Sequence, residues 1–157
     1  MTQNRINRSA VLQYLTTSTS SLVTCSTATP ADDTIPQNTE GNEVLTISIT
    51  PTYSTSRLEI IFVAPFIKDA NNGSAVVALF QDSTADALSA LAQGVTNTLG
   101  GILVLRHYMT SGTTSATTFK IRVGPGANSL YINGSSAGAR LLGGVSSTRL
   151  TIVEYLS

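Results

Sequence analysis

Short segments of alternating apolar and polar residues are the dominant pattern in this chain. Between positions 43 and 50, Leu45, Ile47 and Ile49 alternate with Thr and Ser residues, and residues 119–123 alternate Phe, Ile and Val with Lys and Arg. Because successive side chains of a strand point to opposite faces, both segments are predicted to be strands that bury one face. Alternation and β-branched residues predict further strands at residues 11–16, 18–27, 58–63, 74–82, 102–109, 130–132 and 149–156.

This series of short strands predicts an all-β chain, folded as a single jelly-roll-like antiparallel β-sandwich of roughly eight strands. No segment keeps the helical period over a length sufficient for a layer of helices. Residues 11–157 form the predicted sandwich domain, and the polar residues 1–10 form an N-terminal arm. The arm is either a frayed terminus or a segment that grips a neighbouring molecule. Residues 83–99 stay open between a short helix and a loop.

Proline and Asn-Gly pairs indicate where strands end and turn. Pro65 is expected to stop or bend its strand, because proline cannot donate a hydrogen bond to the ladder. Asn72-Gly73 predicts a hairpin between the strand before it and the strand after it, and Asn133-Gly134 predicts a second hairpin.

Three of the predicted strands, at residues 60–63, 76–80 and 102–105, are apolar on both faces. In a lone sandwich the outer face of each sheet meets water, so a helix, a long loop or another subunit must cover the second face. The chain has too little predicted helix for the first option. We therefore expect an obligate oligomer with the outer face of one sheet at its interface. The predicted assembly-interface residues are Arg5, Arg8, Ile61, Val63, Val77, Leu79, Leu103 and Leu105.

The composition favours contacts with other proteins over contacts with nucleic acid. Hydrophobic residues make up 41% of the 157 residues and charged residues only 11%, with a net charge of zero. A surface rich in Ser, Thr, Asn and Gly can meet another protein without a large desolvation cost. The absence of a basic cluster argues against nucleic-acid binding. No apolar run suits a membrane helix or a signal peptide, so we expect synthesis in a cytoplasm and no membrane insertion.

The residue types that commonly carry catalysis or bind metals are scarce. His107 is the single His and Cys25 the single Cys, and they lie in different predicted strands. A catalytic triad needs a His between an acid and a nucleophile, and a zinc site needs several His or Cys ligands. His107 is therefore predicted to be a strand or interface residue, and Cys25 a small core residue. We expect no enzyme activity, no metal and no cofactor.

Four segments, in order along the chain, resemble a family of bacteriophage virion surface modules. They are Asp-Thr-Ile-Pro-Gln-x-Thr-Glu-Gly at positions 33–41, Ile-Thr-Pro-x-x-x-x-Ser-x-Leu-x-Ile at 49–60, Ala-Leu-Phe-Gln-Asp at 78–82, and the run from His107 to Arg122. The resemblance implies a jelly-roll-like β-sandwich that forms homotrimers. Such modules occur at the tips of tail fibres and as freestanding virion proteins. The resemblance implies no catalytic or binding residues, because the family is not defined by a catalytic set.

Two functions follow as expectations, both located in the virion. The favoured one is a viral structural protein that decorates the phage head as a cement protein and stabilises the capsid as a trimer, with the major capsid protein as its partner. The alternative is a receptor-binding knob of a tail or head fibre that mediates host attachment. Its partners would be a fibre or tail protein and a host surface glycan or protein. A glycan hydrolase is the least favoured class.

Overall fold

The computed structural model describes residues 10–68, 73–96 and 100–157. In these ranges the chain forms ten β-strands and a single short 3₁₀ turn at Leu142–Gly144. The strands are β1 (Val11–Thr19), β2 (Val23–Cys25), β3 (Asn42–Ile49), β4 (Arg57–Lys68), β5 (Gly73–Gln81), β6 (Ser89–Val95), β7 (Gly100–Thr110), β8 (Thr117–Pro125), β9 (Leu130–Ile132) and β10 (Thr148–Tyr155). The prediction of an all-β chain is confirmed.

The strands form two antiparallel sheets. The first sheet has the order β1-β10-β4-β9-β2, with β7 paired to the other edge of β4, and the second has the order β3-β8-β5-β6. The predicted antiparallel β-sandwich is therefore confirmed. The number of strands exceeds the predicted number, and the strand that the sequence did not predict is β6.

The core lies between the two sheets and is filled from both. On β4, the predicted inward positions Leu58, Ile60 and Phe62 are fully buried. The second sheet contributes inward residues of β5 and β8, among them Leu79 and Phe119. Burial of each such side chain is worth about 1.5–3 kcal/mol, so this layer supplies most of the driving force for folding.

Strand β4 is longer than predicted because Pro65 does not end it. On one edge, β4 pairs with β10 up to Val63 and with β9 from Phe66 onward. Pro65 falls between these two ladders, at a position where neither partner strand pairs with it. A proline is tolerated there because it interrupts neither ladder on that edge.

Both hairpin predictions are wrong, because the strands on either side of each Asn-Gly pair are not paired with each other. Strand β4 lies in the first sheet and β5 in the second, so the chain crosses between sheets where Asn72-Gly73 predicted a hairpin. Asn72 itself lies outside the described residues. At the second position, Asn133 has a φ of 58°, which fits a tight turn. However, the following strand, β10, pairs with β1 and β4 and not with β9.

The segment left open between helix and loop contains a strand. Ser89–Val95 forms β6, which pairs with β5 at the edge of the second sheet. Residues 97–99 lie outside the described residues, as do residues 1–9 of the predicted arm. The division into an arm and a sandwich domain therefore stays a prediction.

Candidate interaction surface

The outer face of the first sheet carries a set of adjacent apolar side chains. They belong to the neighbouring strands β4 and β7, whose inward-facing residues fill the core. Val63 pairs with Val104, and Pro65 pairs with Ile102. Ile102 is 61% exposed and Val104 is 51% exposed. We define the apolar patch as Ile61, Val63, Pro65, Ile102 and Val104.

A loop with two protruding apolar side chains borders the apolar patch. Leu142 is 73% exposed and Val145 is 87% exposed. Leu142 also has a φ of 51°, in the left-handed region that a residue with a bulky side chain rarely adopts. A groove of about 380 Å³ has Pro65, Ile102, Leu141 and Leu142 in its lining. The surface thus combines protruding apolar side chains with a concave apolar region.

A second groove, of about 400 Å³, begins at the other border of the apolar patch. Its lining mixes apolar side chains of the patch with hydroxyl and guanidinium groups. The lining residues are Tyr14, Ile61, Val63, Ser147, Arg149 and Thr151. An apolar centre with a polar border is the usual anatomy of a protein–protein interface.

A hydrogen-bonded network around Glu59 adjoins the apolar patch on the same outer face. Glu59 is only 3% exposed, although it points away from the core. The Tyr155 hydroxyl donates a hydrogen bond to Oε2 of Glu59 at 2.6 Å, and the Tyr108 hydroxyl donates one to Oε1 at 2.9 Å. Arg106 donates a short hydrogen bond to Oε1 and forms an ion pair with Glu59. The guanidinium of Arg57 lies 5.3 Å from the ring centroids of both Tyr108 and Tyr155.

The network holds Glu59 in its ionised form. Burial by itself raises the pKa of Glu59, but hydrogen bonds from Tyr155, Tyr108 and Arg106 outweigh it, so the net pKa lies below the usual value. The Arg106 guanidinium is stabilised in return, and its hydrogen bond to Glu59 raises its pKa. A charged carboxylate that is fully paired can be covered by another protein without leaving an isolated buried charge.

The outer face of the second sheet is covered by the chain itself. Residues 28–41, which we call the strap, cross this face. The Thr29 amide donates a hydrogen bond to the Pro125 carbonyl at 3.0 Å, and the Ala87 amide donates one to the Pro36 carbonyl at 3.0 Å. Arg122 donates to the strap carbonyls of Glu40 and Gly41, each at 2.7 Å.

The strap covers the outer face of β5, which is one of the three strands that are apolar on both faces. On β5 the outward residues Val76, Ala78 and Phe80 are at most 3% exposed. Val76 lines a cavity together with strap residues that include Pro30 and Pro36. The prediction that another subunit must cover this strand is therefore wrong, because a long loop of the same chain covers it. Of the three strands predicted to be apolar on both faces, only β4 and β7 keep exposed apolar residues on their outer face.

A polar pocket of about 350 Å³ lies on the same face of the second sheet. Strand β8 contributes Lys120 and Arg122, β3 contributes Glu43, and Phe80 of β5 also lines the pocket. Its remaining lining residues are Asn38, Asp82 and Ser83. Arg122 Nη1 lies 4.0 Å from Glu43 Oε2. We call this site the polar pocket.

The structure divides the predicted assembly-interface residues into three groups. Ile61 and Val63 lie on the outer face of the first sheet, and their place in an interface stays a prediction. Arg5 and Arg8 lie outside the described residues. The remaining four, which are Val77, Leu79, Leu103 and Leu105, belong to the core between the sheets. For these four the prediction is wrong: the alternate positions of the same strands, such as Ile102 and Val104 on β7, face outward.

Sequence reasoning missed the Glu59 network and the polar pocket. The available signal was Glu59 itself, a charged residue between Leu58 and Ile60 in an apolar strand. Its partners Arg106 and Tyr108 come from β7, and the register that joins them is not visible in the sequence. The polar pocket gave no signal, because the strap brings its residues together only in the fold.

The structure places Cys25 in the core and His107 on β7. Cys25 is buried in the core, and burial raises the pKa of its thiol to about 12. A thiol of that pKa is not a nucleophile at neutral pH. His107 is half-buried on β7, and burial lowers its pKa.

Within the described ranges, no three His, Cys, Asp or Glu side chains are grouped to hold a metal ion. No helix among these residues has the length and hydropathy of a membrane crossing.

Similarity to solved structures is remote. The C-terminal domain of EclA, a sugar-binding protein, is 15% identical over 76% of this chain and 74% of that chain, with a TM-score of 0.38. A chain of infectious bursal disease virus, Gx strain, is 9% identical over 93% of this chain and 41% of that chain, with a TM-score of 0.43. The enzymatically active domain of bacteriophage CBA120 tailspike protein 4 is 12% identical over 76% of this chain and 18% of that chain, with a TM-score of 0.28. These likenesses are too distant to support an argument about function.

The sequence also has a match at the level of a protein family, although no curated protein matches it. The family description is the Pgp3 C-terminal domain, and the matched region is residues 16–157. This region includes the apolar patch, the Glu59 network, the strap and the polar pocket. By this match over nearly its whole length, the chain belongs to the Pgp3 C-terminal domain family.

Proposed function

We propose that this protein is a homotrimeric structural module of a virion surface, and that the apolar patch is the contact face between its copies. One observation carries the proposal. The strap covers the apolar outer residues of the second sheet, whereas Ile102 and Val104 on the first sheet stay more than half exposed, at 61% and 51%. Contiguous apolar patches on a folded protein commonly mark interaction sites.

A second copy of the chain is the partner that fits this face. The protruding side chains of Leu142 and Val145 and the groove lined by Pro65 and Ile102 lie at the same border of the sheet. In a head-to-tail contact, the loop of one copy packs into the groove of the next copy. Such contacts form a closed ring when the rotation between neighbouring copies divides a full turn evenly. The adjacent Glu59 and Arg106 are already paired, so contact leaves neither of these two charges without a partner.

The more specific role is that of a head decoration, or cement, protein of a bacteriophage. The support is the resemblance of four ordered segments to phage virion surface modules. In this role the trimer clamps the major capsid protein and adds buried apolar area that resists internal pressure. Contact surfaces of low charge suit such clamping, because little charge has to be dehydrated.

The oligomer is tested by sedimentation velocity on the full chain and on Ile102→Asp. We expect the wild-type protein to sediment as a trimer at micromolar concentration. Ile102→Asp places a charge in the proposed interface and should raise the dissociation constant at least about tenfold, which corresponds to about 1.4 kcal/mol. Ile35→Asp is the matched control, because Ile35 is 57% exposed on the strap, away from the apolar patch.

Two results would contradict the proposal. The first is a wild-type protein that remains monomeric at micromolar concentration. The second is a trimer that Ile102→Asp leaves as stable as Ile35→Asp does. Circular dichroism spectra should be the same for both variants, so that a change in assembly is not mistaken for unfolding.

A receptor-binding knob is the second candidate, and the polar pocket favours it. The pocket lies on the second sheet, so it stays accessible when the first sheet contacts other copies. In this role, soluble protein binds host cells and competes with the virus for attachment. Infection that proceeds at the same rate with an excess of soluble protein would contradict the knob function and leave the structural role untouched.

A further inference from the structure

We propose that the polar pocket binds a sugar residue that carries a carboxylate group, such as a uronic acid. Lys120 is the centre of the argument. It lies on the outer face of β8, half-buried, in the lining of the pocket. Within the described ranges, neither an ion pair nor a hydrogen bond engages its ammonium group. An uncommitted ammonium in a pocket is a site for a single negative charge.

The other charged groups of the pocket limit the charge of the ligand. Arg122 is committed to the carbonyls of Glu40 and Gly41, so its fork is not free for a bidentate anion. The two acids of the lining, Glu43 and Asp82, repel a second negative charge. A phosphate group, which carries up to two charges and favours arginine forks, is therefore a poorer fit than a carboxylate.

Hydroxyl groups of a sugar fit the remaining polar atoms. The Glu43 carboxylate is 42% exposed and lies 4.0 Å from its nearest arginine nitrogen, so it can accept hydrogen bonds from hydroxyls. Asn38 donates through Nδ2 to the Thr84 carbonyl at 3.1 Å, which fixes the amide and leaves its Oδ1 as a further acceptor. The Ser83 hydroxyl can both donate and accept.

The size and the frame of the pocket suit a single sugar ring. The volume of about 350 Å³ lies at the lower end of the range for small-molecule sites. Phe80 is 1% exposed, so it packs beneath the polar groups of the lining and supports them without offering a surface to the ring. The Asp82 carboxylate accepts hydrogen bonds from the Thr118 amide at 2.7 Å and the Thr117 hydroxyl at 2.9 Å, so this side of the pocket is fixed before binding.

Sugar binding specifies the class of ligand that a receptor-binding knob would recognise. The biological role of the binding rests on the proposed knob function, but the binding itself does not. The pocket is complete within one copy of the chain, so binding does not depend on assembly through the apolar patch. A failure to bind sugars would leave the sedimentation test of the trimer unaffected, and a monomeric protein would leave sugar binding unaffected.

The test is titration of the full chain with glucuronate, with glucose and with acetate, followed by amide chemical shifts in NMR spectra. We expect glucuronate to shift the amides of β8 and of residues 38–43 and to bind at least about tenfold more tightly than either glucose or acetate. Lys120→Met should weaken glucuronate binding about tenfold, and Lys120→Gln should do the same. Arg140→Met, which removes an exposed charge far from the pocket, should leave binding unchanged.

Three outcomes would overturn the inference. They are no binding of glucuronate to the wild-type protein at millimolar concentration, binding of acetate or glucose as tight as that of glucuronate, and wild-type affinity for glucuronate in both Lys120 variants. Thermal midpoints of all variants are measured alongside, and Lys120→Gln serves as the folded variant if Lys120→Met loses stability.

Discussion

At the scale of the residue, Glu59 links the stability of the first sheet to pH. Its pKa is lower in the folded protein than the usual value of 4.5. The hydrogen bonds to its carboxylate therefore contribute stability that is fully present above pH 4.5 and is lost as the pH falls through the folded-state pKa. Glu59→Gln should lower the free energy of unfolding by about 1.5–3 kcal/mol at pH 7, because it weakens three hydrogen bonds to a charged group.

The measurement is urea unfolding of both proteins at pH 7 and at pH 3. The difference between wild type and Glu59→Gln should shrink at the lower pH, where the wild-type carboxyl also begins to take up a proton. Glu43→Gln is the control, because the Glu43 carboxylate is exposed and should change stability little at either pH. A difference that stays constant between the two pH values would contradict the role given to the ionised carboxylate.

At the scale of the element, the position of the strap depends on Gly124. A Cβ at this position in β8 would lie 2.7 Å from the Thr27 carbonyl oxygen and 2.9 Å from the Thr29 amide nitrogen. Gly124→Ala should therefore push the start of the strap away from the sheet and destabilise the protein by about 1–3 kcal/mol. Hydrogen exchange of residues 28–41 should become faster, because their contacts with the second sheet are weakened.

Gly94→Ala provides the matched control for the strap. Gly94 lies in β6, and no atom beyond its chain neighbours lies within 4 Å of the position that its Cβ would take. This variant should have wild-type stability and unchanged exchange in the strap. Equal exchange rates in Gly124→Ala and Gly94→Ala would show that close approach at Gly124 does not hold the strap.

The elements also show which parts of the fold can be predicted from sequence. Strands β3 and β8 were predictable because one face of each is apolar and the other is polar. The alternation in their sequences therefore indicates both that the segment is a strand and which of its faces is buried. Strands β5 and β7 begin apolar on both faces, and the pattern does not say which set faces the core. This is why Val77 and Leu103 were assigned to the wrong side. The cover over β5 was not predictable, because the polar sequence of the strap does not indicate the sheet that it crosses.

At the scale of the whole molecule, assembly through the apolar patch should make stability depend on protein concentration. When folding and association are coupled, a higher concentration favours the folded oligomer, and the thermal midpoint rises. We expect this rise for the wild type between low micromolar and high micromolar concentration. Ile102→Asp should show a lower midpoint and a smaller dependence. A wild-type midpoint that is the same at all concentrations would contradict coupling between the patch and assembly.

The two broad sides of the sandwich are built from different strands, and this separation has an evolutionary consequence. Mutations on β4 and β7 can alter the proposed association while the residues around Lys120 stay as they are. Mutations near Lys120 can equally change the proposed recognition without altering the apolar patch. Under both proposals, a lineage built on this domain is free to diversify stoichiometry and recognition independently of each other.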